Sequence, residues 1–319
     1  MQRILSPLLS EHDPKASSEG TIDPLGLYSI ADSIGSRLAP GVRERQSHPR
    51  FLTAMGVGAV VCSDFEEGMV AADGVSEPWQ VFEWYMVEGL VRSFVESEDI
   101  KGLPGRDKAK GAIRDGVPLQ ASRYLKAPTV FGFHGVYRVL AEALDIINDN
   151  RLGATGYQLV SAWEKEHRLD GFYNKQGEDG KDVRQKLYDA IKDGMDKGAV
   201  ARSSGWTGWN IFKEYLAPYR FKPTEATIIK EALINQESEF RSQVVRFLMA
   251  KEGKEIWIAT QSERKFHEAL RGYSTSSLQI LINAIFAYET FARLLQDAFD
   301  DCLMLMTRKS GAKVNLNVA

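Results

Sequence analysis

The amino-acid sequence predicts an all-α protein made of multi-helix bundle units, with a winged-helix module among them and one long C-terminal helix. Three observations carry this expectation. Leu278, Leu281, Ile285, Tyr288, Ala292, Leu295, Phe299, Cys302 and Met306 recur at alternating steps of three and four, the spacing that lines one face of a helix. Apolar stripes of the same period return along much of the chain, and the period-two alternation of strands is sparse. Hydrophobic residues at 44%, charged residues at 26% and a mean hydropathy of -0.27 are values of a folded chain, and 319 residues suffice for a substantial core.

Taken in order, residues 1–22 mix proline, glycine and serine without periodicity and read as an extended arm. Asp23-Pro24 is a helix-entry signal, Leu27, Ile30, Ile34 and Leu38 mark a face, and Pro40-Gly41 stops it. The helix expected over Arg50–Phe65 carries Gly56, Gly58, Ala54 and Ala59, small residues that let a neighbour approach closely. Glu77-Pro78 opens the next, with Phe82, Tyr85, Met86 and Leu90 on its stripe.

Lys101–Lys126 differs from its surroundings. Lys101, Arg106, Lys108, Lys110, Arg114, Arg123 and Lys126 face only Asp107 and Asp115, in a chain whose net charge is -3. Interleaved glycines make this a loop suited to phosphate, and equally a solvated loop paired with acidic helices. A helix is expected from Ala127 to Ile147, with His134 as a core residue among aromatics. The polar run Asn148–Gly153 reads as a boundary, which closes an N-terminal helical domain over 23–150.

Over 151–222 the order is helix, turn, helix and a glycine-bearing extended segment. That order fits a winged helix, with Lys181, Arg184 and Arg202 toward nucleic acid, and it fits a helical bundle as well. A C-terminal helical domain follows over 223–306. In its long helix the first half should be enclosed and the second half-covered, which leaves Leu295, Phe299, Cys302 and Met306 as a partner interface. Residues 307–319 form a tail.

Leu25-Gly26-Leu27, Ile30, Asp32, Leu38, Pro40-Gly41 and Arg50-Phe51 together resemble the opening of uncharacterised bacterial protein families often encoded in anti-phage defence neighbourhoods. The resemblance implies a context and assigns no catalytic residue.

Reactive motifs are few. Gly177–Lys181 has the wrong spacing for a phosphate-binding loop, and the histidines at 12, 48, 134, 167 and 267 do not cluster. Glu252 and Lys254, ahead of Ile256-Trp257-Ile258, are the best nuclease candidates. Cys62 and Cys302 read as buried thiols of a reducing cytoplasm, and Met1–Ser10 lacks the pattern of a secretory signal. The apolar run Phe51–Cys62 is too short to span a bilayer, so no membrane is expected. The expected function is a non-catalytic, cofactor-free subunit of a prokaryotic, defence-related assembly. It would contact partner proteins and DNA or RNA backbone, the alternative being a metal-dependent nuclease or nucleotide-acting enzyme.

Overall fold

A helix enclosed on all sides must present small residues where its neighbours cross. Arg50–Cys62 (α2) does so, and every residue from Arg50 to Val61 is buried. A Cβ on Gly56 would stand 2.9 Å from Val160, and one on Gly58 2.7 Å from Phe82. These two glycines admit Ala154–Glu166 (α7) on one side and Pro78–Ser93 (α3) on the other. The computed structural model in which this is seen describes residues 26–43, 45–94, 100–235, 238–260 and 262–308. The side chains of Thr260 and of residues 306–308 are outside that description, as are the predicted arm over 1–22 and residues 309–319 of the tail.

The described residues are overwhelmingly helical, with one two-stranded sheet, so the fold is all-α. They divide into two units, Gly41–Glu237 and a discontinuous one of Met1–Pro40 with Ser238–Ala319.

In the larger unit, Arg106–Arg114 (α4) lies against α3 through the buried Ala109 and Ala112. The helix expected over 127–147 breaks at Gly132 into Pro128–Phe131 (α5) and Phe133–Ala143 (α6). Ile147–Asn148 (β1) and Arg151–Leu152 (β2) then pair antiparallel, Ile147 opposite Leu152. Asp149 and Asn150, at φ 47° and 62°, make the two-residue loop in the left-handed conformation that type I′ hairpins require. The predicted boundary at 148–153 is therefore a hairpin inside one unit, because polarity there serves a turn. Glu178–Lys197 (α8) follows and stops at Gly198, φ 63°, a left-handed C-cap.

No strand forms among residues 200–208, where the wing was expected. Trp206 and Trp209 meet edge to face at 5.1 Å and both contact Tyr85, whose hydroxyl accepts the Ala201 N–H at 2.8 Å. Aromatic packing takes up this segment in place of ladder hydrogen bonds. Trp209–Ile211 (α9) passes into a π-helical turn over Phe212–Leu216, and Pro223–Asn235 (α10) packs on α7. The helix predicted to open a C-terminal domain thus belongs to the larger unit.

In the smaller unit, Leu27–Leu38 (α1) packs with Glu239–Met249 (α11) and Ser276–Arg308 (α14). Lys251–Thr260 (α12) and Glu263–Tyr273 (α13) complete it. Ser238 and Ser262 cap α11 and α13, each accepting the N–H three residues on. Ile34, Phe247, Leu270, Leu278 and Ile282 centre its core. The burial of α14 ends at Ile285, and from Phe291 to Leu305 it carries exposed apolar side chains.

Candidate functional site

Three internal ionic frameworks hold the larger unit in place. Arg50, fully buried, pairs with Glu225 and donates to the Tyr215 carbonyl, while Nη2 also meets His167 Nε2 at 2.9 Å. That carbonyl is free to accept because it lies at the end of the π-turn, where helical partners run out, and it also takes the Trp163 indole N–H at 2.9 Å. Glu225 further accepts Thr53 Oγ1 at 2.8 Å and the Lys222 N–H at 3.0 Å. Burial, reinforced by Arg50, lowers His167 to about 4, so its ring is neutral and can accept from the guanidinium.

Arg184 forms the second framework. Its Nε and Nη2 reach Asp64 at 2.9 and 2.8 Å, and its remaining donors go to the carbonyls of Val60, Phe172 and Tyr173. A cation at Val60 O also complements the C-terminal end of α2. Burial opposes ionisation of Asp64, but the hydrogen bonds of Arg184 and Lys175 outweigh it and hold the carboxyl below its usual range.

The third framework is Glu83, 1% exposed on α3. It accepts the Tyr124 hydroxyl at 2.6 Å and the N–H groups of Phe133 and His134, each at 2.9 Å. Those two N–H groups open α6, so the carboxylate from α3 caps a helix that is distant in sequence. A Cβ on Gly132 would lie 2.4 Å from Glu83 Oε1, which makes glycine a condition of the contact. Burial nevertheless pushes Glu83 up to about 7, against the downward pull of its three donors.

Above Glu83 opens a cleft of about 410 Å³. Its walls are the end of α2, the start of α3, the start of α6 and the hairpin turn. Trp79 and His134 stack with ring centroids 4.1 Å apart. His134 Nε2 hydrogen-bonds Asn150 Oδ1 at 3.0 Å, and burial lowers its pKa to about 4, so the imidazole is neutral. The Trp79 indole donates to Glu77 Oε2 at 2.9 Å. Glu66, Glu67, Glu77 and Asp149 line the mouth, where Arg151 reaches Glu67 at 3.1 Å. The floor is apolar, with Met55, Phe65, Phe82 and Phe133. Among the described residues no His, Cys, Asp and Glu set converges as metal ligands.

The residues predicted from sequence fall in different places. Lys101, Lys108, Arg114 and Arg123 are exposed, and Arg106 and Lys110 are half-buried. Four of these six, Arg106, Lys108, Lys110 and Arg114, lie on α4, so much of the expected loop is helix. Arg106 and Arg114 pair with Asp107 and Asp115. Lys181 is exposed on α8, where Glu178, Asp179, Asp182, Asp189, Asp193 and Asp196 outnumber the lysines. Arg184 points inward and is not available to nucleic acid, and Arg202 pairs with Asp193 at 2.6 Å. Arg184 was misread because spacing along one helix does not reveal Asp64, which is 120 residues away. Leu295 is half-buried, Phe299 is 37% exposed and Cys302 is exposed, while the Met306 side chain lies outside the described residues. Glu252 and Lys254 stand exposed in the first turn of α12, which is helix.

Sequence reading singled out His134 only as core, and it passed over Glu83, Trp79 and Asn150 as a group. The usable signals were a glutamate on an aromatic stripe and an Asp-Asn pair between short apolar runs. Compared with protein-family models, curated proteins and solved structures, the chain matches none.

Proposed function

We propose that this protein is a non-catalytic subunit of a multi-protein assembly, docked through the distal half of α14. The observation that carries the reading is the exposure of large apolar side chains there: Phe291 53%, Leu294 65%, Phe299 37% and Leu305 63%. Singly exposed apolar residues are ordinary, whereas a contiguous apolar helix face points to an interaction surface. The occupant we commit to is an amphipathic helix of another protein with lysine or arginine flanking its apolar seam. Asp297, Asp300 and Asp301 border the face and are opposed locally by Arg293 alone, so a second copy would bring like charges together. The resemblance over residues 25–51 supports a prokaryotic, defence-related setting.

Ser276–Leu305 is also long and apolar enough, by length and composition, to cross a membrane, its best window having a mean hydropathy of 1.3. Glu289, Arg293, Asp297, Asp300 and Asp301 favour the protein partner, since each charge in hydrocarbon costs about 3 kcal/mol or more.

The test is purification of the full chain from its native cells with cross-linking, beside Leu295→Asp/Phe299→Asp. The expected result is one stoichiometric protein cross-linked to residues 291–305 and lost in the variant, whose melting temperature is unchanged. Unfolding of the variant would make this stretch core. Homodimerisation in light scattering, or co-flotation with lipid vesicles abolished by the variant, would overturn the heterotypic reading.

A second reading rests on α4, which holds Lys108, Lys110 and Arg114 on or near the surface of the same short helix. Contact with nucleic-acid backbone there would accompany the assembly role.

A further inference from the structure

We infer that the cleft above Glu83 binds a small organic ammonium ion with an apolar, preferably aromatic, body. The cavity, about 410 Å³, is of small-molecule size, and its floor of Met55, Phe65, Phe82 and Phe133 suits an arene. Its charged groups are one-sided. Glu66, Glu67, Glu77 and Asp149 stand at the mouth and Glu83 at the base, while the neighbouring cation, Arg151, is engaged by Glu67.

Glu83 supplies an independent indication. It is 1% exposed and lines the cavity, and its Oε2 accepts a single hydrogen bond, from the His134 N–H, leaving acceptor capacity on a buried carboxylate. Trp79, fixed by Glu77 and His134, brings to the lining an indole whose electron-rich ring face attracts ammonium groups. His134 does not oppose a cation, because its ring is neutral and tied to Asn150.

The same geometry disfavours the nucleotide that a phosphate-handling enzyme would need. The N–H groups at the start of α6 that could cradle phosphate are already taken by Glu83, and a phosphate would meet the carboxylates of the mouth. The stacked Trp79–His134 pair likewise closes one ring face to a base.

The test is calorimetric titration of the full chain with phenethylammonium, its near-isostere 2-phenylethanol and the anion phenylacetate. Phenethylammonium should bind at least tenfold more tightly than the alcohol, and phenylacetate should not bind. Chemical-shift changes should centre on the Trp79 indole and the Asn150 side-chain amide. Glu66→Gln/Asp149→Asn, a change of two exposed carboxylates of the mouth, should weaken the ammonium at least fivefold and leave the alcohol unaffected. Equal affinity for ammonium and alcohol, undiminished binding in the double variant, shifts centred elsewhere, or no binding of phenethylammonium would each overturn the proposal.

Discussion

Glu83 shows how one buried carboxylate can organise a site. Its oxygens take two N–H groups of α6 and the Tyr124 hydroxyl, and the exclusion of solvent that favours those bonds also makes its ionised form expensive. Its pKa is raised from an ordinary 4.5 to about 7, so between these values the folded protein binds more protons than the unfolded chain. Stability from this group is complete below pH 4.5 and is lost as pH rises to about 7, a change on the order of 3 kcal/mol. His134 and His167, kept neutral down to about pH 4, gain stability over much of the same range, so the Glu83 contribution is read by urea unfolding as the wild-type free energy minus that of Glu83→Gln, a difference that should decline between pH 5 and 7.5. Glu83→Gln should be less stable throughout, because its amide faces an N–H. A difference that stays constant with pH would assign the pH dependence to another group. Arg50 obeys the same logic with opposite charge, since a buried guanidinium persists only where Glu225, His167 and a free carbonyl converge on it.

At the scale of elements, composition and burial jointly decide each helix's part. α2 is enclosed because its glycines admit α3 and α7, so it, and not the longer α14, is the centre of the larger unit. α14 stabilises the smaller unit over Leu278–Ile285 and continues past that core with apolar residues left uncovered. α4 is the opposite case, its small residues Ala109 and Ala112 turned to α3 and its cations turned outward. Arg106→Glu/Lys108→Glu/Lys110→Glu should leave thermal unfolding nearly unchanged, because none of these side chains is buried. If α4 touches nucleic acid, fluorescence anisotropy should show weaker binding for all sequences and a flatter salt dependence, about one unit of slope per phosphate contact removed. Affinity unaltered by the triple change would remove α4 from that role.

Across the whole molecule, the chain is arranged as two units with separate cores, one contiguous and one assembled from both ends. Residues 41–237 contain both partners of the Arg50–Glu225, Arg184–Asp64 and Glu83–Tyr124 contacts. Expressed alone, this fragment should unfold cooperatively in denaturant and keep the dispersed indole resonances of Trp79, Trp163 and Trp209. Non-cooperative unfolding would mean that it depends on the flanking helices.

By itself the sequence determined the all-α class and many of the helices, though not α4 or the break at Gly132, because a 3.6-residue stripe, a proline at Pro78 and a glycine at Gly198 act through neighbours a few residues away. It also marked the surplus of positive charge near α4 and the two halves of α14, since both are properties of contiguous residues. Only the tertiary structure decided that α1 joins helices more than two hundred positions on and that Asn148–Gly153 is a hairpin and not a boundary. It alone decided that Arg184 is internal and that Glu83, Trp79, His134 and Asn150 enclose one cleft. Those outcomes depend on which helix faces dock across long separations, and a helical stripe states that a face will be buried without naming the face it meets.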